Sequence, residues 1–223
     1  MTKNDPQLFF YEQYTKQGAY RLGPRTSHSI RTDPRHLLFT LARYKFCAKM
    51  LEGAARVLEI GCGDAVGAPL MLQSVKRLYA VDIDAEAIAK NIEYNEFGDR
   101  LHFSCGDWTV SQRVDKFDAV ISLDVIEHID SGTEKVFLEN IHHALRSDGV
   151  CILGTPNISA NQYASEISKK GHINLKSAPA FKECLLPWFH NIFIFSMNDE
   201  LIHTGYYPMA HYFMALCAYP RIL

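Results

Sequence analysis

The chain has 223 residues, of which 48% are hydrophobic and 22% charged, and its formal net charge is −2. This composition predicts one globular domain with a full core and excludes a disordered chain. The chain lacks a Lys/Arg-rich block, which argues against an extended nucleic-acid surface and leaves only a local basic patch open. The six cysteines lack paired metal-site spacing and indicate buried thiols in a reducing compartment.

The beginning of the chain gives no sign of export or of membrane insertion. Its first residues are polar and lack the apolar region of a signal peptide. No apolar run approaches the length of a membrane span. We therefore expect a cytoplasmic protein that does not enter a membrane.

The predicted elements alternate through the first two thirds of the chain. An aromatic-rich segment over 1–32 either closes over a ligand or packs as an arm, and a helix over 34–51 ends at Gly53. The alternation that follows predicts βαβ units, a parallel sheet and helices on both of its faces. The predicted strands lie near 56–60, 78–82, 101–104, 117–123 and 149–154, and the predicted helices lie near 65–75, 85–96 and 132–146.

The last third of the chain has a different pattern. Residues 155–176 are polar and predict irregular structure, and a helix near 178–187 and a strand near 191–197 follow. A loop over 198–209 carries Tyr206 and Tyr207, which are candidates for an acceptor site. The final apolar run, 211–219, predicts a strand, with a helix as the competing prediction. Exposed aromatic residues near the C-terminus are candidates for a homodimer contact.

The most informative motif is Val-Leu-Glu-Ile-Gly-Cys-Gly at 57–63. An apolar strand runs into Gly61 and Gly63, which permit positive φ and a close approach of the backbone to a ligand. Asp64 is then a candidate cap for the next helix. A nicotinamide site is a poor fit, because its fingerprint needs a glycine where Val66 stands. We expect Gly61→Val to block the ligand while leaving the fold intact.

Three further motifs follow the next strands. Asp82 ends the second strand, where an acidic residue suits the paired hydroxyls of a ribose. Asp107 and Trp108 follow the third strand, and they suit the amino group and the ring face of an adenine. Asp124-Val-Ile-Glu-His128 follows the fourth strand. Together these residues favour an adenosine-containing ligand.

In this combination the chain resembles the class I S-adenosylmethionine-dependent methyltransferases. The resemblance implies an α/β fold: a doubly wound, seven-stranded, mostly parallel sheet of Rossmann-like type with an antiparallel C-terminal edge strand. It also implies one domain over 1–223, with a helical cap or arm at 1–53, a donor-binding core at 54–154, and acceptor-side loops with the last two strands at 155–223. The matching segments are 57–63, 81–84, 105–108, 117–128 and 145–149.

The resemblance also implies which residues bind the methyl donor, S-adenosyl-L-methionine. Asp82 would hold the ribose hydroxyls, Ile83 would pack on the adenine, and Asp107 and Trp108 would face the adenine. The full implied set lies at four strand ends: Glu59, Gly61, Cys62, Gly63, Asp82, Ile83, Gly106, Asp107, Trp108, Leu123 and Asp124.

The residues after the fourth strand are the candidates for chemistry. Asp124, Glu127 and His128 have the i, i+3, i+4 spacing that places side chains on one face of a helical turn. Two carboxylates and an imidazole can bind a divalent cation, with His172 as a candidate fourth ligand. Alternatively, His128 is a general base or a pocket residue without a metal, and Asp124 and His172 are further catalytic candidates.

Three functions remain open at this point. The first is O-methylation of a hydroxylated small molecule, such as a sugar, a nucleotide-linked sugar or another biosynthetic intermediate. The acid-x-x-Glu-His run with a later histidine also resembles the metal-dependent small-RNA 3′-end ribose 2′-O-methyltransferases, and the run alone resembles the catechol O-methyltransferases of ubiquinone synthesis. The second function is therefore ribose 2′-O-methylation at the 3′ end of a small RNA. The third is a donor-binding scaffold without turnover. A small-molecule acceptor is the expected partner, with nucleic acid less expected.

Overall fold

Strands that alternate with helices build one sheet in the computed structural model, which describes residues 6–110, 112 and 115–222. Within this part of the chain the sheet has eight strands in the order β3-β2-β1-β4-β5-β8-β6-β7. The strands are β1 (Arg56–Ile60), β2 (Arg77–Asp82), β3 (Leu101–Cys105), β4 (Phe117–Leu123), β5 (Leu145–Pro156), β6 (Phe189–Asn198), β7 (Leu201–His203) and β8 (Tyr212–Pro220).

The helices lie before, between and after these strands. Short 3₁₀ turns at Ile126–His128 and Ile158–Tyr163 follow β4 and β5. The α-helices are α1 (Pro6–Gln17), α2 (Pro24–Thr32), α3 (Pro34–Met50), α4 (Ala68–Met71), α5 (Ala85–Glu93), α6 (Glu134–Ala144), α7 (Glu166–Gly171) and α8 (Ala178–Leu185).

The sheet confirms the predicted fold class and adds one strand to it. Strands β1 to β5 pair in parallel, whereas β8 lies antiparallel between β5 and β6. The last apolar run is therefore a strand, as predicted. The extra strand, β7, pairs with β6 at the outer edge and lies in the segment predicted as a loop. Only three residues long, it is too short to produce a period-two pattern in the sequence.

Apolar side chains cover both faces of the sheet, which makes the fold doubly wound. On one face the buried core includes Tyr44 and Cys47 of α3, Met71 of α4 and Ile88 of α5. On the other face it includes residues of α6 and α8, among them Phe137, Ile141, Phe181 and Leu185. The functional consequence is that the carboxyl ends of β1, β2 and β4 open between the two helical layers, where ligands bind in sheets of this type.

The chain between β1 and β2 departs from the prediction. Instead of a helix over 65–75, only Ala68–Met71 is α-helical, because Gly61, Gly63 and Ala65 all adopt positive φ and prolong the turn. Asp64 does not cap α4, whose cap position is Gly67. Its Oδ2 instead accepts a hydrogen bond from the backbone N–H of Thr26, at 2.6 Å. The predicted cap was therefore wrong, and this carboxylate fastens α2 to the core.

The segment after β5 is more ordered than predicted, since it contains the 3₁₀ turn at Ile158–Tyr163 and helix α7. Four cysteines are buried, Cys184 is half-buried and Cys105 is exposed. None of the helices in the described residues combines the length and the apolar character needed to cross a bilayer.

Candidate active site

A cavity of about 580 Å³ opens at the carboxyl ends of β1, β2 and β4. Seven of the predicted donor residues lie in its wall: Gly61, Asp82, Ile83, Gly106, Asp107, Trp108 and Asp124. His128, the candidate base, borders the same cavity. The structure therefore brings together most of the residues that sequence motifs placed at separate strand ends.

Both the backbone conformation at Gly61 and the neighbouring Val125 restrict which residue can occupy this position. Gly61 has φ +82°, and a Cβ added there would overlap Cγ2 of Val125. A side chain at this position is strained in any state of the site. In contrast to the sequence-based expectation, the structure predicts that Gly61→Val strains the fold, because Val125 occupies the space that the new side chain needs.

Asp82 is held rigidly at the end of β2. Its Oδ2 accepts a hydrogen bond from the backbone N–H of Gly63 at 2.7 Å, and its Oδ1 accepts one from the N–H of Asp84 at 2.9 Å. Each carboxylate oxygen keeps a further lone pair for a ligand hydroxyl. The backbone bonds thus orient a carboxylate that can accept from both hydroxyls of a ribose.

The neighbouring wall suits a flat ring with an amino group. Ile83 is 67% exposed although it lines the cavity, so its side chain is available to cover a ring. Hydrogen bonds from the Thr109 hydroxyl and N–H to Oδ1 of Asp107 lower the pKa of that carboxyl. Asp107 is therefore an anionic acceptor at neutral pH, and the buried Trp108 adds an aromatic face beside it.

Four predicted donor residues lie outside the wall of this cavity: Glu59, Cys62, Gly63 and Leu123. Glu59 is 2% exposed, and its Oε1 accepts a hydrogen bond from the Tyr44 hydroxyl at 2.5 Å. Cys62 and Leu123 are also buried. In this structure the Glu59 side chain is buried and bound to Tyr44 of α3, and Gly63 acts through its hydrogen bond to Asp82.

The N-terminal segment contributes to the site, a role that the sequence left open. Arg25 of α2 lines the cavity, and its Nη2 lies 3.1 Å from Oδ2 of Asp84. The Thr26 N–H bond to Asp64 anchors the same helix beside the glycine turn. Helix α2 therefore forms part of the cavity wall.

Beside the cavity, Asp124 is paired with a buried arginine that no sequence motif indicated. Asp124 has φ +58°, a conformation that costs a residue other than glycine about 1–3 kcal/mol. Nη1 of Arg43, in α3, lies 2.5 Å from Oδ2 of Asp124, and the guanidinium also stacks on the Tyr212 ring, 3.8 Å from its centroid. Burial opposes the charge on Arg43, but Asp124 and Tyr212 raise its pKa, so it stays cationic.

Glu127, His128 and His172 form a second group. Each offers a ligand atom, and these atoms lie within 4.8 Å of one another. Burial, together with the Asp124 charge, raises the pKa of Glu127 to about 8. Burial and the neighbouring His128 lower the pKa of His172 and keep its imidazole neutral. Asp124, bound by Arg43, is outside this group, so three of the four predicted metal ligands come together.

The tautomer of His128 follows from its hydrogen bond. Nδ1 lies 2.9 Å from the carbonyl oxygen of Gly171, which can only accept, so Nδ1 carries the proton. Nε2 is then left with a free lone pair, as either a general base or a metal ligand requires. The ring centroids of His128 and His172 lie 5.0 Å apart.

His172 also borders a second cavity, of about 490 Å³, on the segment after β5. The His128–His172 pair therefore connects the two cavities. Tyr206 and Tyr207, the predicted acceptor-site tyrosines, line neither of them, although both are well exposed. The second cavity is lined by Pro156, Ala160, Asn161, Tyr163, Ala164, Ser168, His172, Leu175 and His211.

Several residues in and beside the first cavity were not predicted from the sequence, and only some of them carried a sequence signal. Val125 and Ile129 are apolar residues on either side of the 3₁₀ turn that contains Glu127. Their position next to this motif could have predicted that they line the cavity. Arg25 and Arg43 carried none, because their partners Asp84 and Asp124 lie 59 and 81 residues away along the chain.

The fold and the cavity first define a class: a doubly wound α/β protein whose cavity at the strand ends suits an adenosine-containing ligand. Comparison with known families then identifies it. The profile of the family described as "Methyltransferase domain" matches residues 31–186, and the chain belongs to that family. The family model and the structural neighbours together place it in the class I S-adenosylmethionine-dependent methyltransferase family.

A curated relative from Arabidopsis thaliana, the mitochondrial ubiquinone biosynthesis O-methyltransferase, is 29% identical over 130 residues. That match covers 54% of this chain and 38% of the relative. The chain thus spans about two fifths of the length of the curated relatives that it matches.

Solved structures share the fold at low identity. The N-methyltransferase NodS from Bradyrhizobium japonicum WM9, in complex with S-adenosyl-L-homocysteine, is 16% identical with a TM-score of 0.63, covering 95% of this chain and 98% of that one. The small RNA methyltransferase HEN1 is 15% identical with a TM-score of 0.67, covering 82% of this chain and 26% of that one. The two likenesses concern the fold alone.

Proposed function

We propose that the protein methylates a hydroxyl group of a small-molecule acceptor and that His128 is the general base. The observation that carries the proposal is the position of His128, which borders the donor cavity with a free Nε2 and contacts His172 at the second cavity. A hydroxyl between the two histidines would lie within reach of a base and of the donor cavity together.

The donor site is proposed to follow the cavity wall. Asp82 would accept hydrogen bonds from the ribose hydroxyls, and Ile83, Asp107 and Trp108 would enclose the adenine. Gly61 and Asp124 would lie beside the methionine part. When bound, the donor supplies an electrophilic methyl group on a sulfonium.

The chain's own contribution to the reaction is orientation and proton transfer. The acceptor oxygen bonds to the methyl carbon as the carbon–sulfur bond breaks, and Nε2 of His128 takes up the hydroxyl proton. The Gly171 carbonyl stabilises the imidazolium that results, because it still accepts the Nδ1–H bond. Because His172 is neutral, it does not repel the positive charge that forms on His128.

The test is transfer of labelled methyl from S-adenosylmethionine to a fractionated extract by the wild type, His128→Gln and His172→Gln. His128→Gln should reduce turnover about 10²–10⁴-fold, the usual contribution of a general base, with S-adenosylhomocysteine affinity unchanged. His190→Gln, an exposed histidine on β6, is the matched control and should be fully active. Full turnover by His128→Gln would disprove the assignment.

A second candidate, ribose 2′-O-methylation of a small RNA with a divalent cation, is favoured by the Glu127, His128 and His172 group. These three residues fit a cation, because one Glu127 oxygen is buried without a partner among the described residues and both histidines have a free nitrogen. A bound cation would acidify a hydroxyl. Label that ribonuclease releases, with activity lost to a chelator, would support this candidate. S-adenosylhomocysteine binding without any labelled product would support a non-catalytic scaffold.

A further inference from the structure

The wall of the second cavity carries no carboxylate, ammonium or guanidinium group. None of its nine lining residues is Asp, Glu, Lys or Arg. Pro156, Ala160, Ala164 and Leu175 supply apolar surface, and Tyr163 supplies an exposed aromatic ring. An apolar pocket with a few fixed polar groups is the usual form of a site for a small organic ligand.

A phosphate-bearing ligand does not suit this wall. Phosphates are bound by Arg, Lys or arrays of backbone N–H groups, and an unpaired anion would lose its hydration here. A nucleotide-linked sugar is disfavoured here for the same reason as an RNA backbone.

One polar atom of a lining residue lacks a partner among the described residues. Oδ1 of Asn161 is buried and receives no hydrogen bond from any described residue. Burying an acceptor without a donor is unfavourable, so a ligand hydroxyl that donates to it would be favoured. Tyr163, His172 and His211 offer ring faces for the body of the same ligand.

We propose that the second cavity binds the methyl acceptor and that the acceptor is an uncharged hydroxylated aromatic molecule. This inference rests on the proposed function and narrows its substrate class. The ring lies in the apolar part of the cavity, and the reacting hydroxyl lies at His172, next to His128. Asn161 binds a second hydroxyl of the acceptor. In a monophenol, Asn161 and His172 compete for the one hydroxyl that is present.

The experiment measures binding by calorimetry at saturating S-adenosylhomocysteine, with 1-naphthol and 1-naphthyl phosphate as matched probes. The two share one ring system and differ in the phosphate. Wild-type protein should bind 1-naphthol at least tenfold more tightly than 1-naphthyl phosphate. Equal or tighter binding of the phosphate would overturn the proposal without any variant.

Two variants locate the binding. Ala164→Trp fills the cavity and should weaken 1-naphthol binding at least tenfold, and Asn161→Leu should weaken it about threefold to tenfold. Ala180→Trp, at an exposed position on α8 outside both cavities, is the control and should bind normally. Naphthol binding that survives Ala164→Trp would overturn the proposal.

Binding of S-adenosylhomocysteine distinguishes a failure of the proposed substrate class from a failure of the proposed function. Ala164→Trp should bind S-adenosylhomocysteine like the wild type, which shows that it is folded. If S-adenosylhomocysteine binds and His128→Gln is inactive while 1-naphthol does not bind, only the substrate class fails. If wild-type protein does not bind S-adenosylhomocysteine, the proposed function itself fails.

Discussion

Glu59 is a buried carboxyl whose removal should change how stability depends on pH. The side chain is 2% exposed, Oε1 accepts from Tyr44, and Oε2 has no partner among the described residues. Burial raises the pKa of Glu59 from 4.5 to about 7; the Asp82 charge adds to this rise, and the Tyr44 hydrogen bond opposes it. The perturbation is Glu59→Gln, which keeps the shape and removes the titration.

The sign follows from the direction of the shift. A carboxyl with a raised pKa binds its proton more tightly in the folded protein than in the unfolded chain. Its contribution to stability is therefore fully present below pH 4.5 and is lost as pH rises through 7. The shift from 4.5 to about 7, at about 1.36 kcal/mol per pH unit, makes the loss about 3 kcal/mol.

The assay is urea unfolding of the wild type and Glu59→Gln at pH 5 and pH 8. The stability of the variant relative to the wild type should rise by about 2–3 kcal/mol between these pH values, since part of the loss occurs below pH 5. Glu52→Gln, at an exposed position after α3, is the control and should show no such rise. Comparing variants cancels the contribution of Glu127, whose pKa is also raised.

A stability difference that is the same at pH 5 and pH 8 would refute this reasoning. The same variant tests the donor role that the sequence implied for Glu59. Because the side chain lies behind the cavity wall, Glu59→Gln should change S-adenosylhomocysteine affinity less than threefold. A larger loss would place Glu59 in contact with the donor.

Three further outcomes follow from the site. Asp82→Ala should weaken S-adenosylhomocysteine binding by about 1–3 kcal/mol in calorimetry, the scale of hydrogen bonds to a charged group, and unchanged affinity would contradict the ribose role. Gly61→Val should lower the melting temperature and abolish donor binding, because its side chain meets Val125; a normal melting temperature would show that the turn has space. Arg43→Met should cost about 2–3 kcal/mol in urea unfolding, less than a fully buried pair, since the Asp124 side chain keeps 40% of its exposure and can hydrate. A loss below about 0.5 kcal/mol would mean that Arg43 does not stabilise the Asp124 turn.

The sequence was most informative where a function depends on neighbouring residues. Gly61 and Asp82 follow their strands directly, so a local pattern places them at the sheet edge, and the structure finds both in the cavity wall. The length of α4 could not be predicted in this way. Its start depends on the positive φ of Ala65, which the surrounding turn imposes on a residue with no such preference.

The sequence also failed to predict contacts between residues that are distant along the chain. Asp64 was predicted to cap the helix that follows it, yet it binds Thr26 of an earlier helix. Asp124 was predicted to bind a metal with its neighbours, yet it pairs with Arg43. In both cases the local spacing was compatible with the predicted role, and a tertiary contact decided which partner the carboxylate has.

Under our proposal, the division between the two cavities explains why similar folds accompany different acceptors. The first cavity, where we propose that the donor binds, consists largely of strand ends and the turns after them, which the methyltransferase motifs specify. Eight of the nine residues that line the second cavity lie from Pro156, the last residue of β5, to Leu175 in the segment that follows. Loops of this kind tolerate substitution better than the sheet that carries them. Likeness to an O-methyltransferase, an N-methyltransferase and an RNA methyltransferase therefore leaves the acceptor open. Under our proposal, the wall around Asn161 and His172, which carries no carboxylate, ammonium or guanidinium group, is the better guide to it.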